Sequence, residues 1–187
     1  MRCFISLNIS NEIKEEFYKI QNEIKKNIDE SQTDRIHWEK RDKFHMTLFF
    51  LGDVLPEKLK EISNELNSVN LDSKTSDILF KASSINAFPN LKFPRILIVE
   101  LINEDKKAAE LYEMIKQVLV QFNFKPDKNF HPHITLGRVK KIQKVNLVEL
   151  ANKISFDISF TINSLYLMKS KLDYRGSVYK IIKRFPL

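Results

Sequence analysis

The stretch Phe130-His131-Pro132-His133-Ile134-Thr135-Leu136-Gly137-Arg138 has a partner elsewhere in the chain. Phe44-His45-Met46-Thr47-Leu48 carries the same His-x-Thr-Leu pattern 88 residues earlier (133 − 45), and the two segments hold three of the four histidines. In an extended strand, side chains two positions apart point to the same face. Each segment therefore predicts a strand that presents one imidazole beside one hydroxyl, with the intervening apolar residues facing the core.

Two such strands facing one cleft would gather His45, Thr47, His133 and Thr135 around a small anionic group. An imidazole with a pKa near 6.5 suits acid–base work, because one ring can take a proton from water while the other protonates a departing sugar oxygen. Hydroxyl groups can donate to the non-bridging oxygens of a phosphate. The doubled motif therefore predicts acid–base chemistry on a phosphodiester, and this scheme requires no metal ion and no other cofactor.

Arg138 has two interpretations. Its guanidinium would bind a phosphate well, but its position in a regular strand points away from His133 and Thr135. Only a bulge or a strand end, which Gly137 would permit, brings it into the cleft. The alternative is a salt bridge.

Three further aromatic side chains, two histidines and one phenylalanine, are weighed as site residues against a structural role. His131 could reach the cleft, but Pro132 disturbs the strand there, so a structural or rim role is favoured. Phe49 has the parity of His45 and could stack on a base, with a core position as the default. His37, next to Trp38, lies outside both motifs and is interpreted as structural.

The composition sets broader limits. The 187 residues include 31 lysines and arginines against 24 acidic residues, a net charge of +7, which is compatible with a nucleic-acid or phosphate-bearing partner. Cys3 is the single cysteine, so the chain cannot form an internal disulfide and a reducing compartment is expected. No signal-peptide h-region and no membrane-spanning apolar run is present. These features predict a soluble, cytoplasmic protein without a membrane partner.

Hydrophobic spacing predicts an α+β chain in which strands and helices alternate. Apolar stripes predict helices from Ile13 to Ile28 (capped by Ser10 or Asn11), from Pro56 to Val69, from Ala108 to Phe122 (the longest, capped by Asn103) and at about 146–154. The predicted strands cover about 2–8, 35–38, 44–51, 77–88, 95–101, 131–139, 156–169 and 177–185. Loops are expected at 30–34, 70–75 and 125–130, a basic turn at Lys140, Lys141 and Lys144, and a turn at Asp173-Tyr174-Arg175-Gly176.

Each half of the chain holds two helices and one motif, so residues 1–187 are expected to form one domain of two similar lobes around a shared cleft.

The chain resembles the RNA 2′,3′-cyclic phosphodiesterases long known as 2′-5′ RNA ligases, within the two-histidine phosphoesterase superfamily. The resemblance runs nearly end to end and rests on the two motifs with their Phe50-Leu51-Gly52 and Gly137-Arg138 flanks. It also includes Arg2-x-Phe4-Ile5, Trp38, Phe88-Pro89-Asn90, Pro94-Arg95, Ser170-x-Leu172 and Gly176-x-x-Tyr179. Ile98 stands where this family leads us to expect an aromatic residue at the edge of the substrate.

This resemblance implies two pseudo-symmetric lobes, each an antiparallel sheet with helices on its outer face, around a central basic cleft. It implies metal-independent hydrolysis of a 2′,3′-cyclic phosphate, on an RNA end or a small cyclic nucleotide, to a 2′-phosphomonoester. It assigns His45 as the acid for the leaving 3′-oxygen and His133 as the base for water. Thr47, Thr135 and Arg138 would bind the substrate. A monomer is expected, because one chain completes the cleft.

Two other classes of function are compatible with parts of the pattern. A metallohydrolase could use His131-x-His133 with His45 or His37 as ligands, although no Cys, Asp or Glu lies in either motif. A nucleotide- or RNA-binding module could keep the cleft without turnover. Within the enzyme class, the same site could also join RNA ends through a 2′-5′ linkage.

Overall fold

A computed structural model describes residues 1–68, 77–124, 129–140, 145–174 and 176–187. Its helices are Asn11–Asn27 (α1), Glu30–Thr33 (α2), Pro56–Ser68 (α3), Lys107–Gln121 (α4) and Val148–Ala151 (α5), and a 3₁₀ turn covers Arg41–Lys43. Its strands are Arg2–Asn8 (β1), Ile36–Trp38 (β2), His45–Asp53 (β3), Ile78–Phe88 (β4), Ile96–Ile102 (β5), His133–Val139 (β6), Ser159–Ile162 (β7), Ser164–Asp173 (β8) and Gly176–Pro186 (β9). The predictions for Val69, the loop 70–75, residues 125–128, Lys141, Lys144 and Arg175 lie outside the described residues.

The strands form two antiparallel sheets, which confirms the α+β prediction. One sheet has four strands in the order β3-β1-β8-β9, and the other has five in the order β2-β6-β5-β4-β7. The motif strand of each half pairs with the strand that opens that half: β3 with β1, and β6 with β5. The first motif therefore lies in one sheet and the second in the other.

The two lobes exchange strands. In the four-stranded sheet β1 also pairs with β8, from the second half of the chain, and in the five-stranded sheet β5 also pairs with β4, from the first half. The order β3-β1-β8 in one sheet thus matches β6-β5-β4 in the other. Each motif strand therefore lies in a sheet that is built from both halves of the chain.

Helix α1 shows why the apolar stripe predicted a helix correctly. The Ser10 side chain accepts a hydrogen bond from the backbone N–H of Ile13 (3.3 Å), which satisfies one of the free donors of the first turn. Phe17, Ile20 and Ile24 are buried, and the Phe17 ring lies edge-on against Phe160 at 5.9 Å. Burial of each such side chain is worth about 1.5–3 kcal/mol, so the stripe holds α1 against the five-stranded sheet.

Helix α4 packs on the opposite sheet. Its Tyr112 ring stacks on Phe49 of β3, with centroids 4.4 Å apart. Two predictions about this helix were wrong in detail: with 15 residues it is shorter than α1 with 17, and its N-cap residue is Lys106 rather than Asn103. Asn103 still serves the first turn, because its side-chain oxygen accepts from the backbone N–H of Ala108 at 2.9 Å.

Three other boundaries differ from the predictions. The polar segment predicted as loop 30–34 contains α2, which Asp29 caps by accepting from the N–H of Ser31. The single strand predicted at 156–169 is divided at Asn163 into β7 and β8, which lie in different sheets. Strand β6 begins at His133, two residues later than predicted, because Pro132 has no N–H to donate. No helix among the described residues is both long and apolar enough to cross a membrane.

Candidate active site

The two motifs meet where β3, the edge strand of the four-stranded sheet, lies beside β6. His45 and His133 are both partly buried, and the charge of His133 acts on the pKa of His45. Thr47 and Thr135 are partly buried as well, whereas Met46, Leu48, Ile134 and Leu136 are buried in the core. The alternation predicted from the sequence is therefore present in both motif strands.

The ring of His45 is held in one orientation by two contacts. Its Nδ1 lies 2.7 Å from the backbone carbonyl oxygen of Lys43, and its Nε2 lies 3.0 Å from the hydroxyl of Thr47. A carbonyl oxygen can only accept, so Nδ1 carries the hydrogen and donates it. In the neutral ring, Nε2 therefore accepts from the Thr47 hydroxyl and is the nitrogen that can take up a proton.

His133 is held in the same way. Its Nδ1 donates to the backbone carbonyl oxygen of His131 at 2.6 Å. In both motifs the acceptor is the carbonyl two residues before the histidine, so the two strands fix the same tautomer. Each motif thus provides one imidazole whose Nε2 is the titrating atom.

The environment favours the neutral form of both rings. Burial lowers the pKa of His45 to about 4; the hydrogen bond to Lys43 opposes this shift, and the charges of Lys14, Arg138 and His133 add to it. Burial also lowers the pKa of His133, where the bond to His131 and the carboxylate of Glu100 act in the opposite direction. An anionic group placed near the two rings would therefore raise the pKa of each.

A bulge brings Arg138 to the motif face of β6. Ile98 and Ile96, which share a face of β5, pair with Thr135 and Arg138, and the register skips Leu136. Arg138 therefore shares the face of Thr135, contrary to regular alternation. Its charge acts on the pKa of both histidines. Ile98 itself is fully buried.

Two residues stabilise this bulge. The buried side chain of Gln21 donates through Nε2 to the carbonyl oxygens of Leu136 (2.9 Å) and Glu39 (2.8 Å). Gly137 has no room for a side chain, because an added Cβ would lie 2.7 Å from Cγ2 of Ile36. Gln21 was missed at the sequence level, since nothing in a helical stripe marks one polar residue as a partner of a distant strand.

Strand β3 has a bulge at the matching place. Phe4 and Ser6 of β1 pair with Phe50 and Thr47, and the register skips Leu48. Phe50 therefore corresponds to Arg138 of the second motif, and its side chain is 72% exposed. Phe49, considered above for base stacking, is buried against Tyr112, so the core interpretation is confirmed for it.

Polar residues around His133 form a network that the sequence did not indicate. Glu100 pairs with His133 across β5 and β6, and its carboxylate accepts from Ser84 (2.6 Å) and Asn86 (2.9 Å). Nε2 of His131 lies 3.1 Å from the same carboxylate. His131 thus takes the rim position that the sequence favours for it.

The first motif has no matching carboxylate. Asn8 pairs with His45 where Glu100 pairs with His133, and its side-chain oxygen accepts from Ser6 at 3.1 Å. The rings of Phe4 and Tyr179 instead lie against His45, with centroids 5.2 Å from it. The two imidazoles therefore have equivalent backbone contacts but different surroundings.

The histidines are not arranged as metal ligands. His131 is engaged with Glu100, and its ring centroid lies 6.0 Å from that of His133. Across the described ranges, no group of three His, Cys, Asp or Glu residues is placed to hold a metal ion.

Comparison with known proteins identifies the family. The model of the family described as LigT-like phosphoesterases matches residues 7–98 and 99–179. The chain belongs to this family. It is 31% identical to the RNA 2′,3′-cyclic phosphodiesterase of Methanocaldococcus jannaschii, over 99% of this chain and all of that protein. It is 28% identical to the protein of the same name from Archaeoglobus fulgidus, over 99% of each.

Solved structures support the same fold for this LigT-like phosphoesterase. The crystal structure of TT0787 from Thermus thermophilus matches with a TM-score of 0.82 and 22% identity, over 100% of this chain and 98% of that one. Escherichia coli LigT complexed with 3′-AMP matches with a TM-score of 0.78 and 21% identity, over 100% and 97%. At these identities the likeness concerns the fold.

Proposed function

We propose that this LigT-like phosphoesterase hydrolyses 2′,3′-cyclic phosphate ends of RNA to 2′-phosphomonoesters, without a metal ion. The observation that carries the proposal is the paired imidazoles, each with Nδ1 bonded to a backbone carbonyl so that Nε2 is the nitrogen that takes up and gives the proton. The names of the two archaeal relatives support the substrate class. The basic balance of the chain, +7, suits a polyanionic substrate.

Two proton transfers complete the reaction. Water attacks phosphorus as Nε2 of His133 takes its proton, the bond from phosphorus to the 3′-oxygen breaks, and protonated Nε2 of His45 gives its proton to that oxygen. The carboxylate of Glu100 stabilises the charge that His133 gains. The product carries a 2′-phosphate and a 3′-hydroxyl.

Hydrogen-bond donors stabilise the phosphoryl oxygens. Thr47 donates to Nε2 of neutral His45; once that nitrogen is protonated, the hydroxyl is free to turn to the phosphate. Thr135 takes the equivalent place in the second motif, and the guanidinium of Arg138 supplies a positive charge on the same face. The exposed ring of Phe50 offers a stacking surface for the terminal base.

The proposal predicts turnover in the presence of EDTA. Purified protein incubated with a short RNA ending in a 2′,3′-cyclic phosphate should open the ring, because the two imidazoles supply both the acid and the base. The product becomes sensitive to phosphatase, and comparison with 2′- and 3′-phosphate standards identifies its end. Loss of activity in EDTA that zinc restores would favour the metallohydrolase, and an intact ring under all conditions would favour a binding module.

The pKa shifts predict the pH profile. Both imidazoles have pKa values below the ordinary 6.5, and catalysis needs the pair to hold one proton. We expect kcat/KM to be highest below pH 6.5 and to fall at higher pH as this proton is lost. Glu100→Gln removes a charge that raises the pKa of His133, so the alkaline limb should move to lower pH. A profile that rises above pH 7 would contradict the assignment.

The same groups could also act on a different nucleophile. If the 5′-hydroxyl of a second RNA replaced water, its attack on phosphorus with departure of the 3′-oxygen would form a 2′-5′ linkage. We propose this ligation as a secondary activity of the site. It is measured by adding an RNA with a 5′-hydroxyl to the hydrolysis assay.

A further inference from the structure

A cavity of about 380 Å³ adjoins His45 and is not used by the chemistry proposed above. Its lining includes Lys43 and Phe44, which precede His45 in the chain, whereas Phe50 lies within β3 and does not line it. Its size falls within the range typical of small-molecule sites. The cavity is therefore a surface beside His45 that does not include the exposed Phe50 ring.

One wall of the cavity is basic. Lys14 comes from α1, and Lys40 and Lys43 flank and end the 3₁₀ turn before β3. Nζ of Lys14 donates to the backbone carbonyl of Asp42 at 3.0 Å, and burial lowers the pKa of Lys14. Asp42 also lines the cavity, but within the described residues none of the three ammonium groups is paired with a carboxylate at salt-bridge distance. Three lysines and one aspartate thus line this part of the cavity, which leaves it with a net positive charge.

The opposite wall is apolar and accessible. Val178 and Ile181 of β9 are 48% and 51% exposed, and Met168 of β8 and the Tyr179 ring lie beside them. Large apolar side chains left exposed beside a basic wall suit a ligand that carries both a flat apolar group and a negative charge. A nucleotide within an RNA chain has both, because its base presents a π-face and its phosphodiester is anionic.

We infer that this cavity binds the nucleotide that precedes the cyclic end and so favours an RNA end over a cyclic mononucleotide. The inference rests on the proposed function. With the cyclic phosphate between the two imidazoles, the chain continues from the terminal ribose towards the lysines. The phosphodiester contacts the basic wall, and the base of the penultimate nucleotide lies against β9.

The test compares two substrates on the same enzyme: a nucleoside 2′,3′-cyclic monophosphate and a dinucleotide with the same cyclic end. We expect kcat/KM for the dinucleotide to be at least about tenfold higher than for the mononucleotide, because one charge-assisted hydrogen bond contributes about that factor. Lys40→Gln should lower the ratio of the two kcat/KM values several-fold. Ile181→Glu, which places a carboxylate on the exposed apolar wall, should lower it further.

Lys60→Gln is the matched control, because it removes the same charge from an exposed position on α3. It should leave the ratio at the wild-type value. Equal kcat/KM for both substrates in the wild type, or equal ratios in Lys40→Gln, Ile181→Glu and the wild type, would overturn the inference while leaving the proposed function intact. Failure to hydrolyse either substrate would instead refute the proposed function.

Discussion

Replacement of His45 or His133 with alanine should lower kcat on a cyclic-phosphate RNA by at least about 10²–10⁴-fold, the usual contribution of one acid or base. Each ring is fixed by a carbonyl at Nδ1, so Nε2 is the atom that exchanges the proton, and alanine removes it. Single-turnover rates measured with saturating enzyme separate this loss from any change in binding.

His131→Ala is the control for these variants. Its ring lies beside His133 but is bound to Glu100, and the backbone carbonyl that holds His133 remains in the variant. We expect a much smaller loss of kcat than in either motif variant. If His45→Ala or His133→Ala kept nearly the full rate, that residue would have no part in proton transfer.

The second large effect should come from the motif hydroxyls. Thr47→Val and Thr135→Val keep the shape of the side chain but remove a donor to the phosphoryl oxygens, and loss of one such donor lowers kcat by about 10²–10³-fold. Thr47→Val also removes the hydroxyl that contacts Nε2 of His45 at 3.0 Å. The free histidine should then titrate at a different pH, which NMR of the imidazole would detect.

Serine variants serve as the rescue test for the hydroxyls. Thr47→Ser and Thr135→Ser restore the donor without the methyl group, so most of kcat should return. If the valine variants raised KM with kcat unchanged, the hydroxyls would bind ground state and transition state equally, and their proposed role would be wrong.

Features that depend on neighbouring residues in the chain were largely predicted correctly. Strand parity placed His45 with Thr47 and His133 with Thr135, because a two-residue period depends on the strand alone. The cap at Ser10 and the helix start at Pro56 also follow from neighbouring residues and are present. These features depend on contacts within a few positions of the chain.

Features set by distant contacts were not predictable. The exchange of β4 and β8 between sheets and the break at Asn163 depend on which strands pair, and all strands share the same alternation. A bulge before Arg138 was one of two possibilities that the sequence left open, because Gly137 permits it, whereas no residue marks the bulge at Leu48 that places Phe50 on the motif face. Glu100 meets Ser84 and Asn86 because β4 and β5 pair, and no motif marks any of the three.

The central claim is that the two imidazoles act together on one phosphate. The most direct measurement is the single-turnover rate of ring opening for the wild type, His45→Ala, His133→Ala and the double variant on one cyclic-phosphate RNA. If the rings act as a unit, removal of the second ring should lower the rate little beyond the loss caused by removal of the first. The double variant should then be about as slow as the slower single variant. Losses that multiply in the double variant would show that the two motifs act independently and would contradict the account.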